Sequence, residues 1–122
     1  MKRDMDLIRN ILIALEDAPF HGRPLTIKHP DHSPDEISYH VMLLHQAGLI
    51  HAVDHSGDEF VDWYPEYLTW QGHEFLEAAK DDTRWSRAKN HVKEKGGPMV
   101  FDVLKSLLVS YAKQAVFGPA DS

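Results

Sequence analysis

Cysteine is absent from this 122-residue chain. That excludes a disulfide framework, a thiol nucleophile and a zinc site of the finger type, and it fits a reducing, cytoplasmic setting. Long apolar runs are missing too. The longest, 11–15, covers five residues, against the roughly 20 that a membrane-spanning helix needs. The opening Met1-Lys2-Arg3-Asp4-Met5-Asp6 carries two cations with no apolar run behind them, so no secretory signal is expected. Positive charge is the third scarcity. From His29 through Ala79 there is no Lys or Arg, while the same stretch holds ten acids: Asp31, Asp35, Glu36, Asp54, Asp58, Glu59, Asp62, Glu66, Glu74 and Glu77. The whole chain has a net charge of −6, which disfavours nonspecific attraction to nucleic acid or anionic membrane. Catalytic signatures are equally scarce. There is no Gly-x-Ser-x-Gly elbow, no phosphate-cradling glycine loop and no His-Glu-x-x-His, because Gly72-His73-Glu74 lacks the second His. The expectation is a non-enzymatic protein with no cofactor and no metal.

What is present reads as one small helical domain without repeats. Asp4 is placed to cap a first helix whose apolar positions are Leu7, Ile8, Ile11, Leu12 and Leu15, a single buried stripe at helical spacing. Ala18-Pro19 stops it. Pro24-Leu25-Thr26-Ile27-Lys28 reads as a short strand. Ser33-Pro34-Asp35-Glu36 is a capping box with proline at the first helical position, and it opens a helix with Ile37, Val41 and Leu44 inward. Gly48 stands where a left-handed C-cap is wanted, with Leu49 as its apolar contact. Residues 49–53 read as a strand, His55-Ser56-Gly57-Asp58 as a turn, and a second arm lies between Phe60 and Leu68, where Pro65 favours an edge strand or a bulge. Thr69 is placed to cap a third helix through Ala79, and Asp81-Asp82-Thr83 restarts or continues it through Trp85, Ala88 and Val92. Gly96-Gly97-Pro98 is a break before a last helix, from Met99 to about Phe117.

The order is helix, short strand, helix, hairpin, helix. Tyr39-His40-Val41-Met42-Leu43-Leu44-His45-Gln46-Ala47-Gly48-Leu49-Ile50 resembles the end of a bacterial recognition helix leading into a wing, and Leu68-Thr69-Trp70-Gln71-Gly72-His73-Glu74-Phe75-Leu76 resembles the matching exit. The predicted fold is therefore α+β, mostly α: a winged-helix-like domain over 1–95, plus a C-terminal helix over 98–118 that packs on the domain or mediates dimerisation. Together with the opening Met1 to Arg9, these phrases make the chain up to about Trp85 similar to a bacterial and prophage family known as domain of unknown function 2513. The resemblance implies an association with phage-derived genes and transfers no functional residues. One departure from a winged helix stands out. Only His29-Pro30-Asp31-His32 separates the short strand from Ser33, where a helix-turn-helix needs a full helix.

Fold analogy suggests DNA binding, but a site must be argued from its residues. Phosphate contact depends on Lys and Arg, and the expected recognition helix and wing have neither. The cationic stretch Arg84, Arg87, Lys89, Lys93 and Lys95 lies beyond the wing. It is a solvated helix face or, for a dimeric transcription regulator, the alternative DNA contact. The aromatics Tyr39, Phe60, Trp63, Tyr64, Tyr67 and Trp70 gather on the hairpin and its flanks. Most should close the core, and the remainder should form a patch in which Trp63, Tyr64 and Tyr67, rimmed by Asp58 and Glu59, receive a protein partner. A third possibility is an acidic DNA mimic that occupies a host protein's nucleic-acid site. Nine histidines are many for this length, but their spacings build no metal set. His40 and His73 are expected to bond nearby groups and pin helix to wing. On the last helix, Val100, Val103, Leu104, Leu107, Leu108 and Tyr111 share one side. Val100, Leu104, Leu107, Leu108 and Tyr111 are the candidate dimer contacts.

Overall fold

A computed structural model of the chain describes residues 1–118. It is α+β and mostly helical, with five helices and one two-stranded antiparallel sheet among those residues. No helix among them is long and apolar enough to cross a membrane. The chain divides into two compact units, Met1–Glu74 and a second beginning at Phe75. The division falls inside a helix rather than at the glycine break at 96–98, where the sequence reading set its domain boundary.

In the first unit, α1 (Met5–Asp17) starts at Asp4, whose carboxylate accepts the N–H groups of Asp6 (2.9 Å) and Leu7 (3.2 Å). These are two of the donors that a helix start leaves without a partner. Leu7, Ile8, Ile11, Leu12 and Leu15 are buried, each worth about 1.5–3 kcal/mol in removed apolar surface. Ala18 turns extended ahead of Pro19 and ends the helix.

The expected strand over Pro24–Lys28 does not form. Leu25 donates one backbone bond to the Pro65 carbonyl at 2.8 Å. Neither Pro65 nor the neighbouring Pro24 has an N–H to return, so no ladder grows. No helix lies among residues 18–33 either. In place of a second helix stands a tight turn in which the His32 N–H reaches the His29 carbonyl at 3.3 Å.

Helix α2 (Pro34–Gln46) opens on the full capping box: Glu36 N–H donates to Ser33 Oγ at 3.2 Å and Ser33 N–H to Glu36 Oε1 at 3.4 Å. It closes on Gly48 at φ +77°. The Leu49 N–H reaches the Leu44 carbonyl (3.1 Å) and the Gly48 N–H the His45 carbonyl (3.0 Å), which is a Schellman closure.

The hairpin pairs β1 (Ile50–Asp54) with β2 (Trp63–Leu68). Ile50 faces Leu68 and His51 faces Tyr67, after which the register slips so that Ala52 faces Pro65, Val53 faces Tyr64 and Asp54 faces Trp63. Glu66 is the extra residue of a bulge. A strand alternates faces with period two, so Tyr64 and Tyr67, three apart, would otherwise point opposite ways. The bulge puts them on one face, opposite Val53 and His51.

Helix α3 (Trp70–Ala79) begins at Thr69, whose hydroxyl accepts the Gly72 N–H (3.1 Å) and donates to the Gly48 carbonyl (2.6 Å). In the second unit, α4 (Asp82–Glu94) restarts on Asp81, which takes the Arg84 N–H at 2.8 Å. Helix α5 (Phe101–Phe117) follows, with Trp85, Ala88 and Val92 of α4 and Leu104, Leu108 and Tyr111 of α5 buried. Phe75, from the second half of α3, lies against Phe101 with ring centroids 4.7 Å apart.

Two roles are expected of α5, packing on its own chain or pairing between chains, and its burial bears on the first. Leu104 and Leu108 are 0% exposed and Tyr111 is 8% exposed within a single chain, while Val100 and Leu107 are only partly accessible. The stripe already has intramolecular cover.

Candidate interaction surface on the hairpin

The outer face of the hairpin carries a line of rings. Tyr67 stacks on His51, with centroids 5.1 Å apart and planes 7° apart, and meets Phe20 edge-on at 5.6 Å. His51 Nδ1 lies 2.7 Å from the Glu66 carboxylate, so the bulge residue fixes the imidazole that supports Tyr67. Towards the hairpin tip, Tyr64 of β2 lies beside His55, just past the end of β1, at 5.3 Å. The Tyr64 hydroxyl is pushed above its ordinary pKa by its hydrogen bond with Asp62. Exposure of these rings is high: Phe20 is 74% accessible, Tyr67 40%, and Trp70, at the start of α3, 76%.

Trp63 belongs to the other face. Its N–H donates to Ser38 of α2 at 3.3 Å, and its ring sits 5.4 Å from that of His45, also on α2. His45 in turn accepts the Ala52 N–H at 3.3 Å. Of the three aromatics grouped from sequence, the structure therefore brings Tyr64 and Tyr67 together and separates Trp63. Phe60 at the loop is 59% exposed, so none of the six gathered aromatics is fully buried.

Asp58 and Glu59 stand exposed at the tip between the strands. The tip is ordered from within. The Gly57 N–H reaches the Phe60 carbonyl (3.1 Å), the Asp62 N–H reaches Ser56 Oγ (2.9 Å), and Asp54 accepts the Ser56 N–H (2.8 Å). Bonding by Ser56 holds the Asp54 carboxyl below its ordinary value.

Beside the ring line lies an open cleft of about 360 Å³, lined by Leu15, Glu16, Ala18, Phe20, Tyr67, Leu68 and His73. Phe20 and His51 were missed as surface residues by sequence reasoning. Phe20 follows Pro19 in an irregular segment with no periodicity to mark it. The signal for the shared face was Pro65 between two tyrosines at odd spacing, a pattern that calls for a bulge.

His40 and His73 part company. His40, 1% exposed, accepts the Asp4 N–H on Nε2 at 2.8 Å and donates from Nδ1 to the Glu36 carbonyl at 2.7 Å. These partners define a neutral Nδ1–H tautomer, and they tie α1 to α2 rather than helix to hairpin. His73 is exposed and lines the cleft. Close to His40, His32 Nδ1 lies 3.0 Å from Glu36 and its Nε2 3.8 Å from Asp4. The hydrogen bond to Glu36 raises the His32 pKa, and the same bond lowers that of Glu36. No three His, Cys, Asp or Glu side chains converge as a metal-binding set among the described residues.

The cationic stretch is tied into its own unit. Arg84 donates to the Ala78 and Glu77 carbonyls at 3.3 and 3.2 Å, closing the C-terminus of α3. Arg87 lies 3.9 Å over the Tyr111 ring, and Lys89 5.9 Å from that of Trp85. Lys93 and Lys95 project from exposed positions near the end of α4.

Comparison with known proteins bears on family rather than activity. The family model described as "Hypothetical protein (DUF2513)" matches residues 2–98. A protein of Haemophilus influenzae described as "Uncharacterized protein" is 36% identical over 115 residues, covering 93% of this chain and 98% of its own. No solved structure matches.

Proposed function

The chain belongs to that family, domain of unknown function 2513, and we propose that it is a non-enzymatic, winged-helix-like binding module whose partner is a protein. The observation that carries this reading is the exposed ring line Phe20–Tyr67–His51, held in fixed orientation on the outer face of the hairpin. Rigid, half-exposed aromatics supply large contact area at low ordering cost, and Tyr and Trp dominate interface hot spots. The surrounding stretch, without a Lys or Arg from 29 to 79, suits a partner with a basic surface. A helix pair followed by a hairpin and a further helix supports the winged-helix comparison. The bond from Leu25 to Pro65 then stands where a third wing strand would run.

The test is capture of partners from the native host with the wild-type chain and with a Phe20→Ala/Tyr67→Ala variant. A protein held by the wild type and lost by the variant, with melting temperature unchanged, supports the reading. Retention by the variant overturns it. So does salt-sensitive binding to random-sequence duplex DNA that disappears on replacing Arg84, Arg87 and Lys89 by alanine.

A further inference from the structure

We infer that the tip of the hairpin is a docking wedge: Phe60 and Val61 enter an apolar pocket of the partner protein, and Asp58 and Glu59 meet lysine or arginine at its rim. The inference rests on the protein-binding reading above and adds a second contact to it. Phe60 is 59% exposed and Val61 50%. One exposed apolar side chain needs no explanation, but an adjacent pair at the tip of an ordered turn marks a contact. The turn holds them out. The Gly57 N–H reaches the Phe60 carbonyl at 3.1 Å, and the His55 N–H reaches the Asp62 carbonyl at 2.8 Å. The Phe60 ring lies so close on Gly57 that a Cβ there would overlap it. Gly57 does not have a positive φ, so the backbone does not require glycine at that position. The missing side chain is what gives the ring its seat, and a ring seated in advance has little freedom to lose on binding.

Charge selects the occupant. Asp58 and Glu59 are exposed and have no hydrogen bond or ion pair among the described residues. The other acids of the tip are engaged, Asp54 by the Ser56 N–H at 2.8 Å and Asp62 by the Tyr64 hydroxyl. Two free carboxylates beside the apolar pair repel nucleic-acid phosphates and anionic lipid. They attract basic residues around a protein pocket. An apolar anchor in a desolvated pocket with a polar rim is the ordinary anatomy of a protein interface.

The test places the photo-cross-linker p-benzoylphenylalanine at Phe60 of the full chain in the native host and maps the adduct by peptide mass spectrometry. The Kd of the cross-linked protein is then measured for wild type and variants. An adduct at an apolar residue of one protein is expected. Phe60→Ser should raise the Kd about thirtyfold or more, and Asp58→Asn/Glu59→Gln about two- to thirtyfold. Melting temperature should be unchanged in both, because all three side chains are exposed. No adduct, an adduct on a second copy of the chain, or a Kd indifferent to either variant would overturn the inference. So would Phe60-dependent binding to random-sequence duplex DNA or to phosphatidylcholine–phosphatidylglycerol vesicles. The two readings fail separately. Binding lost with Phe20→Ala/Tyr67→Ala and kept by Phe60→Ser overturns the wedge alone. Binding lost with Phe60→Ser and kept by Phe20→Ala/Tyr67→Ala supports the wedge and removes the ring line as a contact.

Discussion

Replacing Gly72 by alanine separates what local propensity says from what the packing says. Gly72 lies in the first turn of α3 with an ordinary helical backbone, and alanine in a helix is favoured over glycine by about 0.8–1 kcal/mol. On that ground alone the substitution stabilises. The surroundings reverse the sign. A Cβ at Gly72 would fall inside the van der Waals envelope of the Leu49 carbonyl oxygen, with the Leu49 carbonyl carbon at 3.0 Å. That neighbour is backbone and cannot swing aside like a flexible side chain. Its oxygen is also the acceptor for the Thr69 N–H at 3.0 Å, and the adjacent Gly48 carbonyl accepts the Thr69 hydroxyl at 2.6 Å.

Relief of the clash therefore moves the start of α3 away from the end of α2 and strains both bonds. Each is worth about 1 kcal/mol, and overpacking adds about 1–3 kcal/mol. After the helix-propensity gain, the net loss is about 2–4 kcal/mol, or a fall in Tm of about 8–15 °C for a chain of this size. Thermal and urea unfolding followed by far-UV circular dichroism measure it directly. Gly48→Ala is the control. Gly48 has open space around its Cβ position but φ +77°, so its cost is backbone strain alone, about 1–2 kcal/mol. A Gly72→Ala chain as stable as wild type, or more so, would refute the close approach of α3 to Leu49.

His40→Leu should cost about 2–4 kcal/mol in urea unfolding, because it leaves the Asp4 N–H and the second acceptor site of the Glu36 carbonyl without their partner; a change below about 0.5 kcal/mol would contradict the tie between α1 and α2. The His32–Glu36 pair predicts a pH window. The raised His32 pKa contributes stability that is full below its ordinary 6.5 and fades as pH rises through the folded value. The lowered Glu36 pKa contributes stability that is present above its ordinary 4.5 and fades as pH falls through the folded value. Coupling in a His32→Gln/Glu36→Gln double-mutant cycle should therefore be largest between pH 4.5 and 6.5 and vanish in mild alkali; coupling that persists unchanged in alkali would show that the pair is not ionic. Arg84→Met should destabilise by about 1–2 kcal/mol through loss of the cap on the α3 carbonyls, and a neutral result would leave Arg84 as surface charge.

What sequence made legible was local: every cap whose residues lie within one turn of each other. Asp4, the Ser33–Glu36 box, Gly48 with Leu49, and Thr69 were each readable because a short polar side chain or a left-handed glycine is wanted at one defined place. The helix stripes were readable for the same reason, as in the buried run from Leu7 to Leu15. What stayed hidden depended on pairing at a distance. Residues 24–28 have strand composition, but whether they join a sheet is decided by Pro65, some forty positions away, which cannot return a bond. Leu104, Leu108 and Tyr111 show a periodic stripe, but periodicity does not say whether the partner surface is α4 or another chain. Trp63 and Tyr64 are neighbours and take opposite faces in any register, and the one-residue bulge at Glu66 decides which of them joins Tyr67 without changing composition.

That bulge also connects the fold to the proposed site. A regular β2 would send Tyr64 and Tyr67 to opposite faces and leave no continuous outer ring line. The extra residue is itself acidic, and its carboxylate anchors His51 beneath Tyr67. One insertion thus sets the facing of the tyrosines, orders the supporting imidazole and places negative charge beside the rings. Exposed aromatics on a small protein ordinarily invite self-association. Here, copies approaching hairpin to hairpin would bring Glu66, Asp58 and Glu59 of one against the same residues of the other, and like charges so juxtaposed oppose the contact. A partner presenting basic residues meets no such barrier. On the proposed protein-binding reading, such a surface would discriminate by repulsion as well as by attraction, and replacing Glu66 by glutamine should weaken both the ordering of Tyr67 and the bar to self-association. Sedimentation velocity at increasing concentration reads the second effect: a Glu66→Gln chain that associates no more than wild type would show that its charge takes no part in keeping the rings apart.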